Sequence, residues 1–180
     1  MHWLHIAIAG SPAFAGEIPI TKSWLGLVGW LMASLATGAI GALATRQARD
    51  FYAALVRPSW APPGWVFGPV WTTLYLMMGV AAWLVWRRAG WDGAAVALSL
   101  YVAQLLCNAL WSWLFFAWRR ADLAFVDIVV LAVLIVATAL TFARVRALAA
   151  VLLLPYLVWV LFATALTLAL WRGNAEQLSG

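Results

Sequence analysis

The chain has 180 residues, of which 67% are hydrophobic and 9% are charged, and its mean hydropathy is +0.96. A soluble domain of this length has too small an interior to bury so much apolar surface, so composition predicts an integral membrane protein. The net charge of +5 would suggest a nucleic-acid partner in a soluble protein. Here the basic residues lie at the ends of apolar segments, where they anchor to lipid headgroups, and no nucleic-acid partner is expected.

Five segments are long and apolar enough to cross a bilayer. A hydrocarbon core of about 30 Å needs roughly 20 apolar residues in helical form, and continuous apolar runs favour helices over the short alternating strands of a membrane barrel. The predicted spans are residues 24–45, 66–86, 93–118, 123–143 and 147–171. The predicted fold class is therefore all-α, a polytopic membrane protein built as a bundle of five transmembrane helices.

The two ends of the chain lie outside this bundle. Residues 1–23 are predicted to be an N-terminal extension that is mobile or lies at the membrane interface. The triplet Ala13-Phe14-Ala15 has the form of a signal-peptidase site, but no basic residue and only a short apolar stretch precede it, so an uncleaved extension is preferred. Residues 24–174 are predicted to form the bundle, and residues 175–180 a C-terminal tail.

The first connection, residues 46–65, differs from the others. The later connections are short and polar, which makes neighbouring helices antiparallel, whereas a loop of this length is often functional. Pro58, Pro62 and Pro63 cannot continue a helix and stiffen the loop. Trp60 and Trp65 flank the double proline. We therefore expect a rigid aromatic lid, called the lid loop below, over one end of the bundle.

Three spans each present an aromatic face at helical spacing. Most tryptophans of this chain lie near span ends and are explained by an aromatic belt at headgroup depth, but Trp71 and Trp159 lie deeper. Polar side chains on such faces are expected to point into the bundle. The candidate ligand-binding residues are Phe67, Trp71 and Tyr75 on the second span, Gln104, Asn108 and Trp111 on the third, and Tyr156, Trp159 and Ala163 on the fifth.

Two of these residues carry amides and allow a second interpretation. An interhelical hydrogen bond worth about 0.6 to 2 kcal/mol would explain Gln104 as well as a ligand contact does. For Asn108, one turn from Trp111 and among aromatic residues, ligand contact is favoured. Asp127 is expected to pair with Arg119 or Arg120 at the interface rather than to act as a buried proton relay.

The pattern P-x-W-x-P-P-x-W-x-F-x-x-x-W-x-x-L-Y, which begins at Pro58, resembles the tryptophan-rich sensory protein and translocator protein family, TspO/MBR. The segments CNALWSWLFF (107–116) and PYLVWVLFATAL (155–166) resemble its third and fifth helices, and the resemblance covers about residues 24–174. It implies a five-helix bundle, often a homodimer, that binds porphyrins, sterols and isoquinoline-type compounds under the first loop. It further implies pocket positions at Phe67, Trp71, Tyr75, Asn108, Trp159 and Ala163, and a bacterial membrane is the expected location.

The chain departs from the family pattern at two places. Phe51, which we include in the lid loop, stands where many bacterial members carry a tryptophan. In the fifth helix the usual Leu-Asn-aromatic is Leu166-Thr167-Leu168, and the sterol-recognition pattern, which needs a tyrosine before Arg172, is absent. A sterol is therefore expected to be a poorer partner than a porphyrin.

The leading expectation is a receptor or carrier for a tetrapyrrole, with a role in stress or tetrapyrrole regulation. A flat macrocycle suits stacking on indole and phenol rings, and its propionates suit Arg46, Arg49 or Arg57 at the mouth. Neither His2 nor His5 lies in a span, so histidine ligation of haem within the bundle is not expected. Metal-free protoporphyrin IX is the preferred ligand, and neither a metal nor an obligatory cofactor is predicted.

Two further function classes remain open. The resemblance implies that some members carry out light-dependent porphyrin breakdown with tryptophans that match Trp71 and Trp159. The spans hold no general acid–base pair or activated nucleophile, so any such chemistry would have to be photochemical or oxidative, carried by the ligand and an indole. A third possibility is an oligomeric scaffold or regulator. The small residues Ala33, Thr37 and Gly41 suit close helix packing, either within one chain or in a homodimer.

Overall fold

The computed structural model describes residues 20–45 and 48–178, and the predicted N-terminal extension up to residue 19, with its candidate cleavage site, lies outside these ranges. The helices are α1 (Ile20–Ala44), α2 (Ala48–Ala54), α3 (Phe67–Ala89), α4 (Ala95–Ser112), α5 (Ala121–Val145), α6 (Ala147–Gly173) and α7 (Ala175–Leu178). Five of them, α1, α3, α4, α5 and α6, are long and apolar enough to cross a membrane. The predicted class, an all-α polytopic membrane protein, is confirmed.

The five long helices close into a ring. Helix α1 packs on α3 and α4, α4 packs on α5, α5 on α6, and α6 returns to α3. Short turns join α3 to α4, α4 to α5 and α5 to α6, so consecutive helices run antiparallel. The core inside the ring is mainly aromatic and aliphatic, with Met78, Leu98, Tyr101 and Tyr156 fully buried.

Two predicted loop regions contain helix. The lid loop begins with α2, which was not expected because its seven residues are too few and too polar for a span. Helix α2 buries Tyr52, and Leu55 just after it is buried as well, so tertiary contact stabilises a segment that would be marginal alone. The predicted C-terminal tail likewise contains α7, whose Leu178 is fully buried.

The ridge of small residues on α1 faces its own bundle at three positions. Thr37 and Gly41 are buried. A Cβ at Gly38 would lie 2.5 Å from the Tyr75 ring, and one at Gly41 would lie 3.0 Å from the Ser112 hydroxyl. Packing within one chain therefore accounts for this part of the ridge, whereas Ala33 is exposed.

Helix α4 ends in an unusual turn. Its last residues form a π-helical turn at Trp113–Ala117, and Arg119 follows with φ of 54°, the left-handed conformation that glycine usually adopts at this position. The Arg120 amide then donates to the Leu114 carbonyl at 2.8 Å, which satisfies a free carbonyl of the helix end.

The ion pair expected for Asp127 is wrong. Arg120 pairs instead with Asp122, at 2.6 Å, because Asp122 begins α5 and lies next to the arginine in the chain. Asp127 lies further along α5, and its Oδ2 has no hydrogen-bond partner in the part of the chain that the structure describes.

Candidate functional site

Three side chains from three helices meet in the middle of the bundle. The Tyr75 hydroxyl donates to Asn108 Oδ1 at 2.5 Å, and Asn108 Nδ2 donates to the Tyr156 hydroxyl at 3.2 Å. We call Tyr75, Asn108 and Tyr156 the interior triad. Its members are 7%, 2% and 0% exposed, so these hydrogen bonds form away from lipid and water and connect α3, α4 and α6.

Trp71 covers the triad on the side of the lid loop. Its indole stacks on Tyr75, with ring centroids 5.5 Å apart and an interplanar angle of 26°. It also meets the ring of Tyr156 edge-on at 6.1 Å. Because Trp71 lies one helical turn before Tyr75, the same face of α3 carries both rings. Of the aromatic face predicted on this span, Trp71 and Tyr75 are in direct contact, whereas Phe67 contacts other rings.

A second group of rings joins the bundle to the lid loop. Phe67 meets Trp159 at 5.8 Å and Tyr52 of α2 at 5.6 Å. Trp159 contacts Phe162 at 5.3 Å, and Trp60 of the lid loop lies edge-on to Phe162 at 5.7 Å. These rings thus connect α3 and α6 with the lid loop.

Trp111 belongs to a third group, at the end of α4. It stacks on Phe115 at 5.6 Å with an interplanar angle of 13° and meets Phe116 edge-on. Phe51 of α2 contacts both phenylalanines at 6.4 Å, and the Arg119 guanidinium lies 5.2 Å from the Phe51 ring. Phe51 of the lid loop is therefore packed against the end of α4.

The proline segment of the lid loop is extended at Pro63 and is held by a hydrogen bond from Tyr52. Pro63 has φ of −63° and ψ of 145°, and the Tyr52 hydroxyl donates to the Pro62 carbonyl at 3.1 Å. Burial raises the pKa of Tyr52, with Arg57 acting in the opposite direction. Trp65 is 73% exposed, so of the two tryptophans that flank the prolines only Trp60 packs on the bundle.

Several polar groups among these rings have no partner. Both amide atoms of Gln104 and the indole nitrogens of Trp111 and Trp159 are buried and form no hydrogen bond in the described parts of the chain. Gln104 is fully buried, so the interhelical hydrogen bond considered for it is not made. Most buried polar groups in native proteins are paired, and an unpaired one calls for a ligand, a water or a functional reason.

The structure therefore distributes the predicted residues over connected groups. Trp71 and the interior triad form the centre, Phe67 and Trp159 lead towards the lid loop, and Trp111 lies with Phe51 at the end of α4. Ala163 and Gln104 are buried in the bundle. Arg46, one of the three arginines expected at the mouth, lies outside the described residues, as does the side chain of Arg49.

Sequence reasoning missed three residues of this region. Tyr52 and Phe162 complete the chain of rings, but neither lies on the faces that were counted from helical spacing. Asn174 lies three residues beyond the predicted end of the fifth span and was given no role, yet its side chain binds the backbone of Val56 in the lid loop. An asparagine directly after the last turn of a helix was a usable signal, since it suits a capping position.

Clefts lie around the site in the part of the chain that the structure describes. An apolar groove of about 740 Å³ opens between α3 and α6; it is lined by Val70, Leu74, Val151, Leu154, Pro155, Val158, Trp159 and Phe162. Pro155 lies inside α6 and cannot donate to the Val151 carbonyl. A cleft of about 420 Å³ is lined by Arg57 and the loop prolines, and one of about 770 Å³ includes Phe51, Trp118 and Arg119.

A metal centre is not assembled in the described residues, where no three His, Cys, Asp or Glu side chains converge. What the site offers is stacking surface, unpaired amide and indole donors, and a lid. These features suit recognition of a flat apolar molecule with a few acceptor atoms.

Comparison with known proteins places this arrangement in a family. Residues 30–172 match the profile of the TspO/MBR family. Translocator protein of Ovis aries is 38% identical over 160 residues, which cover 87% of this chain and 95% of the relative. Tryptophan-rich protein TspO of Chlorobaculum tepidum is 43% identical over 143 residues (78% and 90%), and the tryptophan-rich sensory protein of Cereibacter sphaeroides is 36% identical over 155 residues (86% and 95%). With five membrane-spanning helices and a family match over most of its length, the chain belongs to the TspO/MBR family of integral membrane proteins.

Proposed function

We propose that this protein is a membrane receptor or carrier that binds a porphyrin, protoporphyrin IX being the preferred ligand, among the aromatic side chains beneath the lid loop. The observation that carries the proposal is the set of buried, unpartnered polar groups on Gln104, Trp111 and Trp159. A guest with acceptor atoms on its substituents, such as a propionate of protoporphyrin IX, would satisfy buried donors that are otherwise left without hydrogen bonds.

The shape of the site favours a planar ligand over a sterol. Trp71 already stacks on a tyrosine and meets another edge-on, and a macrocycle can replace these ring contacts with larger ones. Aromatic pairs contribute about 0.5 to 1.5 kcal/mol beyond the area they bury. The propionates of the porphyrin would reach the exposed Arg57, which lines the cleft at the lid loop.

Binding requires rearrangement of the closed site. The interior triad is in direct contact, and a macrocycle that enters at this level must part the Tyr75–Asn108 or Asn108–Tyr156 hydrogen bond. Each such bond contributes about 0.5 to 1.5 kcal/mol net. The ligand's own stacking and hydrogen bonds can offset that amount. The hydrogen bonds of the triad thus close the empty site, and contacts with the ligand take their place.

Titration of purified protein in lipid nanodiscs with protoporphyrin IX, followed by quenching of tryptophan fluorescence, tests the proposal. Trp71→Phe and Trp159→Phe should each weaken binding about tenfold, the effect of about 1.4 kcal/mol of lost contact. Trp24→Phe is the matched control, because Trp24 lies near the start of α1 and is 63% exposed.

Two outcomes would contradict the proposal. Equal affinities for all three variants and the wild type would place the porphyrin elsewhere. If a sterol displaced the bound porphyrin more strongly than a second tetrapyrrole did, the preferred ligand class would be wrong.

A further inference from the structure

We infer that Asn174 is a latch that holds the lid loop against the bundle and thereby sets how fast a ligand enters and leaves; the kinetic part of this inference rests on the proposed function. Asn174 is 6% exposed and ends α6. Its side-chain hydrogen bonds go to Val56 and Leu170 and not to the interior triad, so its role is that of a positioning residue.

The side chain of Asn174 uses its hydrogen-bonding capacity on two elements. Its Oδ1 accepts from the Val56 amide at 2.8 Å, and its Nδ2 donates to the Val56 carbonyl at 2.9 Å, across a separation of 118 residues. Nδ2 also donates to the Leu170 carbonyl at 2.9 Å. One amide thus satisfies both backbone groups of a loop residue and one free carbonyl at the end of α6.

Apolar contacts continue the latch on both sides. Leu178 of α7 is fully buried in the same cluster as Tyr52 and Leu55 of the lid region and Leu170 of α6. The turn after α6 therefore holds α2 and the beginning of the extended proline segment together. Because Asn174 supplies the polar part of this junction, its removal should free the loop while the apolar contacts keep the chain folded.

The lid loop is the part of the site that can move at least cost. The long helices surround the triad in a closed ring. Separating them would break large apolar contacts between the helices. The extended part of the loop is held by few contacts, among them the Tyr52–Pro62 hydrogen bond and the Trp60–Phe162 edge contact. Segments with few buried contacts open most readily.

A latch predicts a particular kinetic signature. The bonds between Asn174 and Val56 do not involve the ligand, so they stabilise the closed loop equally in the empty and the occupied protein. Their removal should raise the open population in both states by the same factor. Association and dissociation then accelerate together, and the affinity stays the same. A residue that shapes the pocket would change the affinity instead.

The first experiment uses hydrogen–deuterium exchange on the ligand-free protein in nanodiscs. The reporters are the amides of Ala61 in the lid loop and of Val66 directly after it, which donate to the Pro58 and Pro63 carbonyls. Loss of two hydrogen bonds in Asn174→Ala should accelerate their exchange about tenfold. Asn174→Asp, which keeps the acceptor but turns a carboxylate oxygen towards the Val56 and Leu170 carbonyls, should accelerate exchange at least as much. Gln177→Ala, an exposed neighbour in α7, is the control and should exchange like the wild type.

The second experiment is stopped-flow tryptophan quenching by protoporphyrin IX. In Asn174→Ala both rate constants should rise about tenfold, with a dissociation constant within roughly twofold of the wild type. Unchanged exchange at Ala61 and Val66 in Asn174→Ala overturns the latch, whatever the porphyrin does. A change in affinity with unchanged association rate also overturns it.

These results separate the two proposals. Wild-type protein that is not quenched by protoporphyrin IX refutes the proposed ligand, while exchange at Ala61 and Val66 still decides whether Asn174 holds the loop. If Asn174→Ala does not fold, Asn174→Asp is measured in its place. Exchange at Ala61 and Val66 equal to that of the wild type then overturns the inference.

Discussion

Gly38 of α1 provides a quantitative test of how tightly the bundle holds the interior triad. A Cβ at this position would lie 2.5 Å from one carbon of the Tyr75 ring and 2.8 Å from the next. Favourable carbon–carbon contacts lie at about 3.5 to 4.0 Å, so Gly38→Ala requires a shift of about 1 Å. The ring cannot move freely, since its hydroxyl donates to Asn108 and Trp71 stacks on its face.

The expected cost follows from these contacts. Overpacking of a well-packed interior destabilises by about 1 to 3 kcal/mol, and a broken or stretched hydrogen bond to Asn108 adds about 0.5 to 1.5 kcal/mol. Gly38→Ala should therefore lower the free energy of unfolding by about 2 to 4 kcal/mol. Reversible unfolding in mixed micelles, followed by circular dichroism, measures this quantity. Gly29→Ala on the same helix, with open space at its Cβ, should change it by less than about 1 kcal/mol.

A double-mutant cycle isolates the cause. Tyr75→Phe removes the hydroxyl that anchors the ring, so the ring can yield to the new methyl group. In that background Gly38→Ala should be less destabilising, with a coupling energy of about 0.5 to 1.5 kcal/mol. If Gly38→Ala is as stable as Gly29→Ala, or if the two changes are additive, the ring is not held as described and the reasoning is refuted.

Two further predictions concern the triad and the end of α4. Asn108→Leu leaves the hydroxyls of Tyr75 and Tyr156 buried without their partner and should destabilise by about 2 to 4 kcal/mol in the same unfolding assay; an equally stable variant would show that the triad contributes no net stability. Arg119 has φ of 54°, so the Arg119→Gly variant should be more stable than the Arg119→Ala variant by about 1 to 2 kcal/mol. Inside a helix the order of these two residues is the reverse. Both substitutions lose the contact with Phe51, so the difference between their unfolding free energies measures the backbone conformation alone. An alanine variant as stable as the glycine variant would contradict the left-handed conformation.

The bundle could be predicted because its causes are local. Each span is a long apolar run, interrupted only by Asp127 in the fourth, with basic residues beyond both of its ends, and a backbone in hydrocarbon has to satisfy its hydrogen bonds within the segment. The aromatic faces of α3, α4 and α6 follow from helical spacing, so Trp71, Tyr75, Asn108 and Tyr156 could be named before any contact was known. The missed helix α2 is a different case, because its stability comes from burying Tyr52 against the bundle rather than from its own composition.

What the sequence determined by itself was the membrane location, the five spans and the set of residues that face inwards, since hydropathy and a period of 3.6 residues are properties of each segment alone. The tertiary structure decided which hydrogen bonds the buried polar side chains form. Asn108 binds two tyrosines while Gln104, one turn earlier, binds nothing in the described chain, although both are amides on one helical face. It also decided that Asn174 reaches Val56 across 118 residues. Such pairings depend on how helices are rotated and offset against one another, which no single segment encodes.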